Sequence, residues 1–537
     1  MQLTFTIICC LAIVAAVANL GLELKRDLMM LQQNSYRRER YYRWLSTSGD
    51  STSVWRLCGM AVLLASLVIF AVPVFGAAMI LLFSIACGIN LARQRYKKPL
   101  VFTNRAKRIY AVSAAVSVLI LLVGLAIAWL YQAGSSMMLF AGAVILAGEY
   151  CGSHVIITIA NWALIPVEKS INRGYYDDAK NILRSMPALK VVGITGSYGK
   201  TSTKHYLYTI LSEQFETVMT PGSFNTTLGV VRTVRENLKP YTEVFIAEMG
   251  AKQRGDVKEI CDLVEPQIGI ITAVGQQHLE SFGSIENIQA TKFELADALP
   301  HDGGLAVINN DFEKIADRPV ENVATVRYST NEADSAADAV AGNLEISARG
   351  TKFDFNYKGN TYHLSTKLVG RCNVSNLMAA VVVALHLGMD EASIQRGISR
   401  IEQVEHRLSI KNGYGGTIII DDAFNSNPVG AGMALEVLSM MKSGKRIIVT
   451  PGMIELGDSQ RDENFKFGQK IAVSADVAIV VGEYNREAIT EGIKAVESSQ
   501  IELHETASFA DAQRLLAGII KPGDAILYEN DLPDTFK

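Results

Sequence analysis

Leu189-Lys190-Val191-Val192-Gly193-Ile194-Thr195-Gly196-Ser197-Tyr198-Gly199-Lys200-Thr201-Ser202 reads as a short β-branched strand that enters a glycine-rich turn and opens a helix continuing through Leu211. In that arrangement the unpaired N–H groups of the helix start, with the helix dipole, cradle phosphate. Gly196, Ser197 and Gly199 would form the cradle and Lys200 would neutralise β- and γ-phosphates. Thr201 or Ser202 would ligate Mg²⁺. The commoner phosphate-loop spacing has glycine where this chain has Ile194, so the stricter pattern is not met.

Downstream, Val244-Phe245-Ile246-Ala247-Glu248-Met249-Gly250 is a second apolar strand and ends in a carboxylate. Ile268 to Val274 is a third. Strands alternating with helical stretches predict a mostly parallel sheet whose working residues sit at strand C-termini. Glu248 is one such residue, and His278, just past the third strand, is another. A lone histidine is more often structural, so His278 depends on its neighbours.

Upstream the chemistry changes. The 537 residues are 49% hydrophobic and 20% charged, with mean hydropathy +0.19, and the apolar excess lies in residues 1–167. This excludes a wholly soluble chain, a secreted disulfide scaffold and a disordered polymer. Charge-free runs over 3–22, 57–92 and 109–148 predict five transmembrane helices, 3–22, 57–74, 76–92, 110–131 and 137–165. Breaks fall at Pro73 and Gly76 and at Gln132 to Ser136. Ala16-Val17-Ala18 resembles a signal cleavage box, but no Lys or Arg precedes the apolar core.

Basic residues cluster in 25–43 and 93–108 and are missing from the turns near Pro73 and Gly134. The positive-inside rule therefore predicts a multi-pass protein of the cell (inner) membrane, N-terminus outside and everything after Pro166 cytoplasmic. The basic runs read as solvated loops against anionic headgroups. Glu149, within an apolar stretch, is either functional or a helix break.

Up to Arg108 there are 14 Lys and Arg against 4 Asp and Glu, a surplus of ten; the whole chain sums to −3, so the remainder carries −13. No nucleic-acid partner is expected for that part. Of seven cysteines, five lie in the membrane stretches, and no CxxC spacing exists, so neither a zinc site nor a disulfide framework is indicated.

Several further strings occur in order: Gly222-Ser223-Phe224-Asn225-Thr226-Thr227-Leu228-Gly229, Glu248-Met249-Gly250-Ala251, Gly275-Gln276-Gln277-His278, Ala290-Thr291-Lys292-Phe293-Glu294, Asn309-Asn310-Asp311, Gly370-Arg371-Cys372-Asn373-Val374-Ser375-Asn376, His406-Arg407, Asp421-Asp422-Ala423-Phe424-Asn425-Ser426-Asn427-Pro428 and Gly452-Met453-Ile454-Glu455-Leu456-Gly457. Together with residues 195–202 they resemble the Mur ligase family of ATP-dependent amide-forming enzymes, and within it most nearly the members that add D-alanyl-D-alanine.

The resemblance implies a shortened phosphate loop, ATP contacts from Asn309, Arg407 and Asp422, and substrate contacts from Asn225, Thr226, Thr227, Asn425 and Asn427. It further implies Mg²⁺ held by Thr201, Glu248, His278 and Lys292, the lysine being carbamylated; a carbamate offers a hard cation anionic oxygens that an ammonium cannot. Lys200, Glu248, His278 and Lys292 would be the catalytic set. Three departures stand out. A membrane bundle replaces the family's UDP-binding domain, and Cys372 replaces a histidine. The segment Tyr528-Glu529-Asn530-Asp531 also stands where the dipeptide-adding enzymes carry Lys-Gly-Ser.

The expected fold is thus an α-helical membrane bundle (1–165), a linker (166–189), a P-loop ATPase-like α/β domain with a mostly parallel sheet (190–404) and a Rossmann-like α/β domain (405–537). The expected activity activates a small-molecule or lipid-linked carboxylate as an acyl phosphate and couples it to an amino acid or dipeptide amine, beside the lipid bilayer, in cell-envelope or peptidoglycan precursor synthesis. The alternatives are a polyglutamate-type ligase, or a membrane protein with a regulatory nucleotide-binding domain.

Overall fold

The computed structural model describes residues 2–50, 53–68, 72–96, 98–424 and 426–531. Its described residues divide into two compact units, 2–172 and 173–531.

The first unit is helical: α1 (Gln2–Gln33), α2 (Arg38–Thr47), α3 (Val54–Val68), α4 (Pro73–Arg93), α5 (Asn104–Leu130), α6 (Ser135–Cys151), α7 (Ser153–Ala163) and the start of α8 (Ile165–Arg184). Among the described residues α1, α4 and α5 are long and apolar enough to cross a membrane; α6 and α7 add a fourth span if that pair, bent by 74°, is counted as one. The sequence had suggested one unbroken helix over 137–165. The chain turns instead at Gly152, between the two helices, with φ −99° and ψ 12°. Helix α3 is described over 15 residues, and the expected span 57–74 continues through 69–71, outside the described residues.

Helix α1 runs past Leu22 to Gln33 and carries Glu23, Arg26 and Asp27 into the bundle. Arg56 Nη2 donates to Glu23 at 2.9 Å and to Asp27 at 3.0 Å, while Ser153 Oγ donates to Asp27 at 2.6 Å. Arg26, read from sequence as a solvated basic residue, is paired with Glu23 and Asp50. Buried carboxylates need such partners, and the nearest cations supply them. Residues 166–184, expected as part of a linker, are helical.

In the second unit β1 (Lys190–Thr195), β2 (Thr217–Met219), β3 (Val244–Glu248), β4 (Ile268–Ile271), β5 (Leu305–Asn309), β6 (Ala324–Ser329), β7 (Ala339–Ser347), β8 (Gly350–Tyr357) and β9 (Asn360–Thr366) form one sheet in the order β2-β3-β1-β4-β5-β6-β7-β8-β9. All neighbours are parallel except β7–β8 and β8–β9. Strands β1, β3 and β4 are Val/Ile-rich and almost wholly buried, as expected when helices cover both faces of a parallel sheet. The helix Arg371–His386, buried along most of its length, packs on the helix Lys200–Leu211 and closes the core of Val192, Ile194, Tyr206, Ile246 and Ile270.

A second sheet holds β10 (Ser409–Asn412), β11 (Ile418–Asp422), β12 (Arg446–Thr450), β13 (Val477–Val481), β14 (Glu502–Thr506) and β15 (Ala525–Glu529), in the order β10-β11-β15-β12-β13-β14, parallel except for β10–β11. Helices bring up its core of Ile420, Leu435, Ile448, Phe467, Val480 and Leu527. The two α/β sheets match the expected fold class. Both present strand C-termini near residues 195, 248, 422 and 529.

Candidate active site

Strand β1 sits between β3 and β4, with Ile194 level with Glu248 and Thr195 level with Ile271. Central parallel strands thus deliver the glycine turn and Glu248 to the same sheet edge. Gly196 has φ 151° and Gly199 φ 82°. A Cβ at Gly196 would lie 2.1 Å from Thr272 Oγ1, and one at Gly199 2.4 Å from Asn376 Oδ1. Both positions therefore need glycine.

The turn is tied to the strand beside it. Ser197 N–H donates to the Ala273 carbonyl at 2.8 Å, and Ser197 Oγ bonds the Gly275 backbone at 3.0 Å. Lys200 opens its helix and donates to the Gly196 and Ser197 carbonyls at 2.6 and 3.1 Å. Burial pushes its ammonium down to about 8.

Glu248 is buried and held from three sides. Asn225 donates to it at 3.0 Å, Thr201 at 3.2 Å, and Lys204 Nζ lies 2.9 Å from its other oxygen. Burial pushes this carboxyl upward, but Lys204, Lys200 and the Asn225 bond outweigh that and hold it below the ordinary range. Lys204 escaped the sequence reading. It lies one helical turn beyond Lys200, on the same face, and that spacing was a readable signal.

His278 adopts φ 53° and its Nδ1 pairs with Glu455 across the two sheets' domains. Burial lowers the imidazole's pKa against the pull of Glu455. Glu455 lies in the Gly452–Gly457 stretch, but a partner 177 residues away leaves no local trace.

Lys292, on the helix Ile285–Asp297, is 3% exposed. Its amine lies 5.7 Å from the Phe282 ring centroid and makes no hydrogen bond or ion pair among the described residues. Burial pushes it down to about 7, with Lys200 acting in the same direction.

Other residues implied by resemblance hold the scaffold. Asn309 donates to the Thr272 carbonyl and Ser375 Oγ at 2.8 and 2.9 Å and accepts from Asp311 N–H at 3.0 Å, so its amide is fully engaged inside the protein. Thr226 and Asn427 cap helices, accepting from Gly229 and Gly430 N–H. Thr227 donates to Glu259 at 2.9 Å. Ser202 is buried within its helix. Asn376 accepts from Thr203 at 3.2 Å and Asn373 from Tyr206 at 2.7 Å, pinning the helix after the phosphate loop. Cys372, at the start of the helix bearing both, has its thiol pushed up to about 12 by burial and stays protonated.

The second domain contributes Arg407 and Asp422. The Arg407 guanidinium lies 3.9 Å from the Phe424 ring centroid, a cation–π contact. Asp422 accepts from Leu408 N–H at 2.9 Å, and burial pushes its carboxyl up to about 7. Asn425 lies outside the described residues.

Residues 194–384 match the family profile described as Mur ligase middle domain, and residues 406–528 that described as Mur ligase, glutamate ligase domain. A UDP-N-acetylmuramoyl-tripeptide--D-alanyl-D-alanine ligase of Mycobacterium bovis is 31% identical over 361 residues, which cover 63% of this chain and 70% of the relative. The chain belongs to the Mur ligase family. A like-named ligase of Bacillus subtilis is 28% identical over 348 residues, 63% of this chain and 72% of its own. The crystal structure of MurF from Acinetobacter baumannii superposes with TM-score 0.61 at 26% identity, covering 66% of this chain and 77% of that one. As a Mur ligase the chain is an ATP-dependent enzyme that forms a carbon–nitrogen bond and releases ADP. Both profile matches begin after the apolar helices of the first unit.

Proposed function

We propose that this Mur ligase works at a membrane. Helices α1, α4, α5 and the bent pair would anchor it with the N-terminus outside and both α/β domains in the cytoplasm. It would join the carboxylate of an envelope or peptidoglycan precursor, free or lipid-linked, to the amine of an amino acid or dipeptide. The relatives' names support peptide extension of such a precursor.

A carboxylate resists amines because oxide would have to leave. Transfer of the γ-phosphoryl group from ATP gives an acyl phosphate, from which phosphate can depart. The 196–202 backbone and Lys200 would bind the triphosphate and balance its charge. Lys204 and Asn225 would keep Glu248 ionised and fixed in place. Glu455 would orient His278 through Nδ1. Arg407 and Asp422 would approach the nucleotide from the second domain.

Thr201, Glu248, His278 and carbamylated Lys292 would hold magnesium, Thr201 donating to Glu248 at 3.2 Å in its absence. When bound it would neutralise phosphate charge. Among the described residues no group of three His, Cys, Asp or Glu could hold a metal, so an anionic Lys292 would supply what those residue types lack.

The observation that carries this reading is Lys292. A regulatory nucleotide domain has no use for a buried, unpaired amine beside its phosphate loop, whereas a ligase of this family does. Full-length protein in nanodiscs, given envelope precursors, ATP and D-alanyl-D-alanine, should yield one product of a single added mass by mass spectrometry. A ladder of masses would favour the polyglutamate-type reading, and ADP release without amine consumption would favour the regulatory one.

A further inference from the structure

The loop 451–457, which follows β12, carries Glu455 to His278, and side-chain amides hold most of its backbone. The Met453 carbonyl accepts from Asn485 Nδ2 at 2.9 Å, from Asn464 Nδ2 at 3.1 Å and from Gln460 Nε2. Asn485 also donates to the Pro451 carbonyl at 3.0 Å, and Asn530, just past β15, donates to the Gly452 carbonyl at 2.6 Å. Met453 N–H donates to Asn464 Oδ1 at 2.9 Å, and Leu456 N–H donates to Gln460 Oε1 at 3.2 Å. The amides are tied to one another as well, since Asn485 Oδ1 accepts from Gln460 at 2.8 Å and from Asn464 at 3.3 Å. Asn464 and Asn485 are both buried.

Buried amides are costly unless they are bonded, so three of them converging on one carbonyl mark a loop whose shape matters. That shape is strained. Glu455 has φ 63°, a conformation that residues with a side chain adopt rarely and keep only where their surroundings enforce it. Gly452, at φ 79°, fits the cage so closely that a Cβ there would lie 2.5 Å from Asn464 Oδ1 and 2.9 Å from Asn485 Cβ. At the tip, Glu455 Oε2 pairs with His278 Nδ1, and the Glu455 carbonyl accepts from Glu280 N–H at 3.4 Å. An imidazole whose Nδ1–H is held by a carboxylate is fixed in ring orientation and tautomer, with its free electron pair on Nε2.

We propose that Asn485, backed by Asn464, is a positioning residue of the ligase: through the loop 451–457 and Glu455 it sets the tautomer and orientation of His278. This rests on the reading above that gives His278 to magnesium. The second domain thereby supplies the support for a ligand carried by the first. Among the described residues the Asn485 side chain bonds only Pro451, Met453, Gln460 and Asn464, so its effect on His278 passes through Glu455. An asparagine held there for packing alone would leave the imidazole unchanged when replaced by a side chain of the same shape.

The test uses full-length protein in nanodiscs, labelled with ¹⁵N-histidine, with a nonhydrolysable ATP analogue and with Mn²⁺ as the metal probe. In wild type the ring nitrogens of His278, assigned by comparison with His278→Gln, should show Nδ1 protonated and Nε2 bare. Asn485→Leu, similar in shape but unable to hydrogen-bond, should give a mixture of tautomers. It should also weaken Mn²⁺ binding, read by electron paramagnetic resonance, by at least about tenfold, while analogue affinity without metal stays within a few-fold of wild type. Asn485→Asp keeps the shape and an acceptor oxygen but loses both N–H donors; it should act in the same direction and decides the matter if Asn485→Leu fails to fold. Glu455→Ala should reproduce both effects with Asn485 intact. Wild-type ring shifts or wild-type Mn²⁺ affinity in a folded variant, or a wild-type His278 protonated on Nε2 alone, would overturn the proposal. His278 signals that Mn²⁺ fails to broaden would instead overturn the metal reading, with the tautomer result still deciding the role of Asn485.

Discussion

Lys200→Ala should reduce product formation by about a thousandfold, the upper end of what loss of one preorganised electrostatic donor does to phosphoryl or acyl transfer. In the nucleotide-free chain the ammonium rests on the Gly196 and Ser197 carbonyls, acceptors that give it up readily to phosphate oxygens. Burial lowers its pKa, Glu248 counters this and Arg407 adds to it. At about 8 the side chain remains mostly protonated at neutral pH, so a positive charge awaits the triphosphate. The helix that follows is anchored separately through Asn373 and Asn376, so the variant should melt as wild type does while losing turnover. Mass-spectrometric product counts beside a thermal melt check both; full turnover would remove Lys200 from the mechanism.

Lys292→Ala should leave no detectable product, and added bicarbonate should not restore it, because no amine remains to carry the carbamate. Reaction of the neutral amine with CO₂ forms one C–N bond and releases one proton. The Lys292 pocket favours the neutral amine by excluding water and by placing Lys200 close enough to repel a second charge. The same burial makes the unmodified lysine a liability to stability. Lys292→Met, similar in shape and uncharged, should therefore raise the melting temperature of the unliganded chain while abolishing turnover, the usual opposition of stability and function at a working site. With ¹³C-bicarbonate, wild type should show a carbamate carbon signal that both variants lack. Turnover by either variant would exclude the proposed role.

The parts legible in the sequence were those written locally. The strand–turn–helix at 189–211, the apolar strands ending at Glu248 and before His278, and the order of short strings each depend on neighbours a few residues apart, and the parallel sheets appear where those signals put them. What escaped depends on contacts between distant residues or on signals too short to stand out. The antiparallel β8–β9 pairing turns on Lys358-Gly359, both at positive φ, as a type I′ hairpin turn requires; that signal was present and weak. The pairing of Arg56 and Arg26 with Glu23, Asp27 and Asp50 required the fold, since a basic residue flanking an apolar run looks like a solvated loop. The bend at Gly152 likewise leaves no mark in a hydropathy profile. At the site, Asn309, Thr226 and Asn427 show the converse. Their strings were recognisable, but whether each side chain meets ligand or backbone appears only once its neighbours are placed.

In this reaction ATP is consumed to activate an acid for attack by an amine. The most direct measurement is ADP release by the full-length protein in nanodiscs, with the precursor acid and the amine each supplied or withheld. Stoichiometric ADP and amide are expected only when both are present. ADP released at an equal rate with the amine withheld and no amide formed would contradict it.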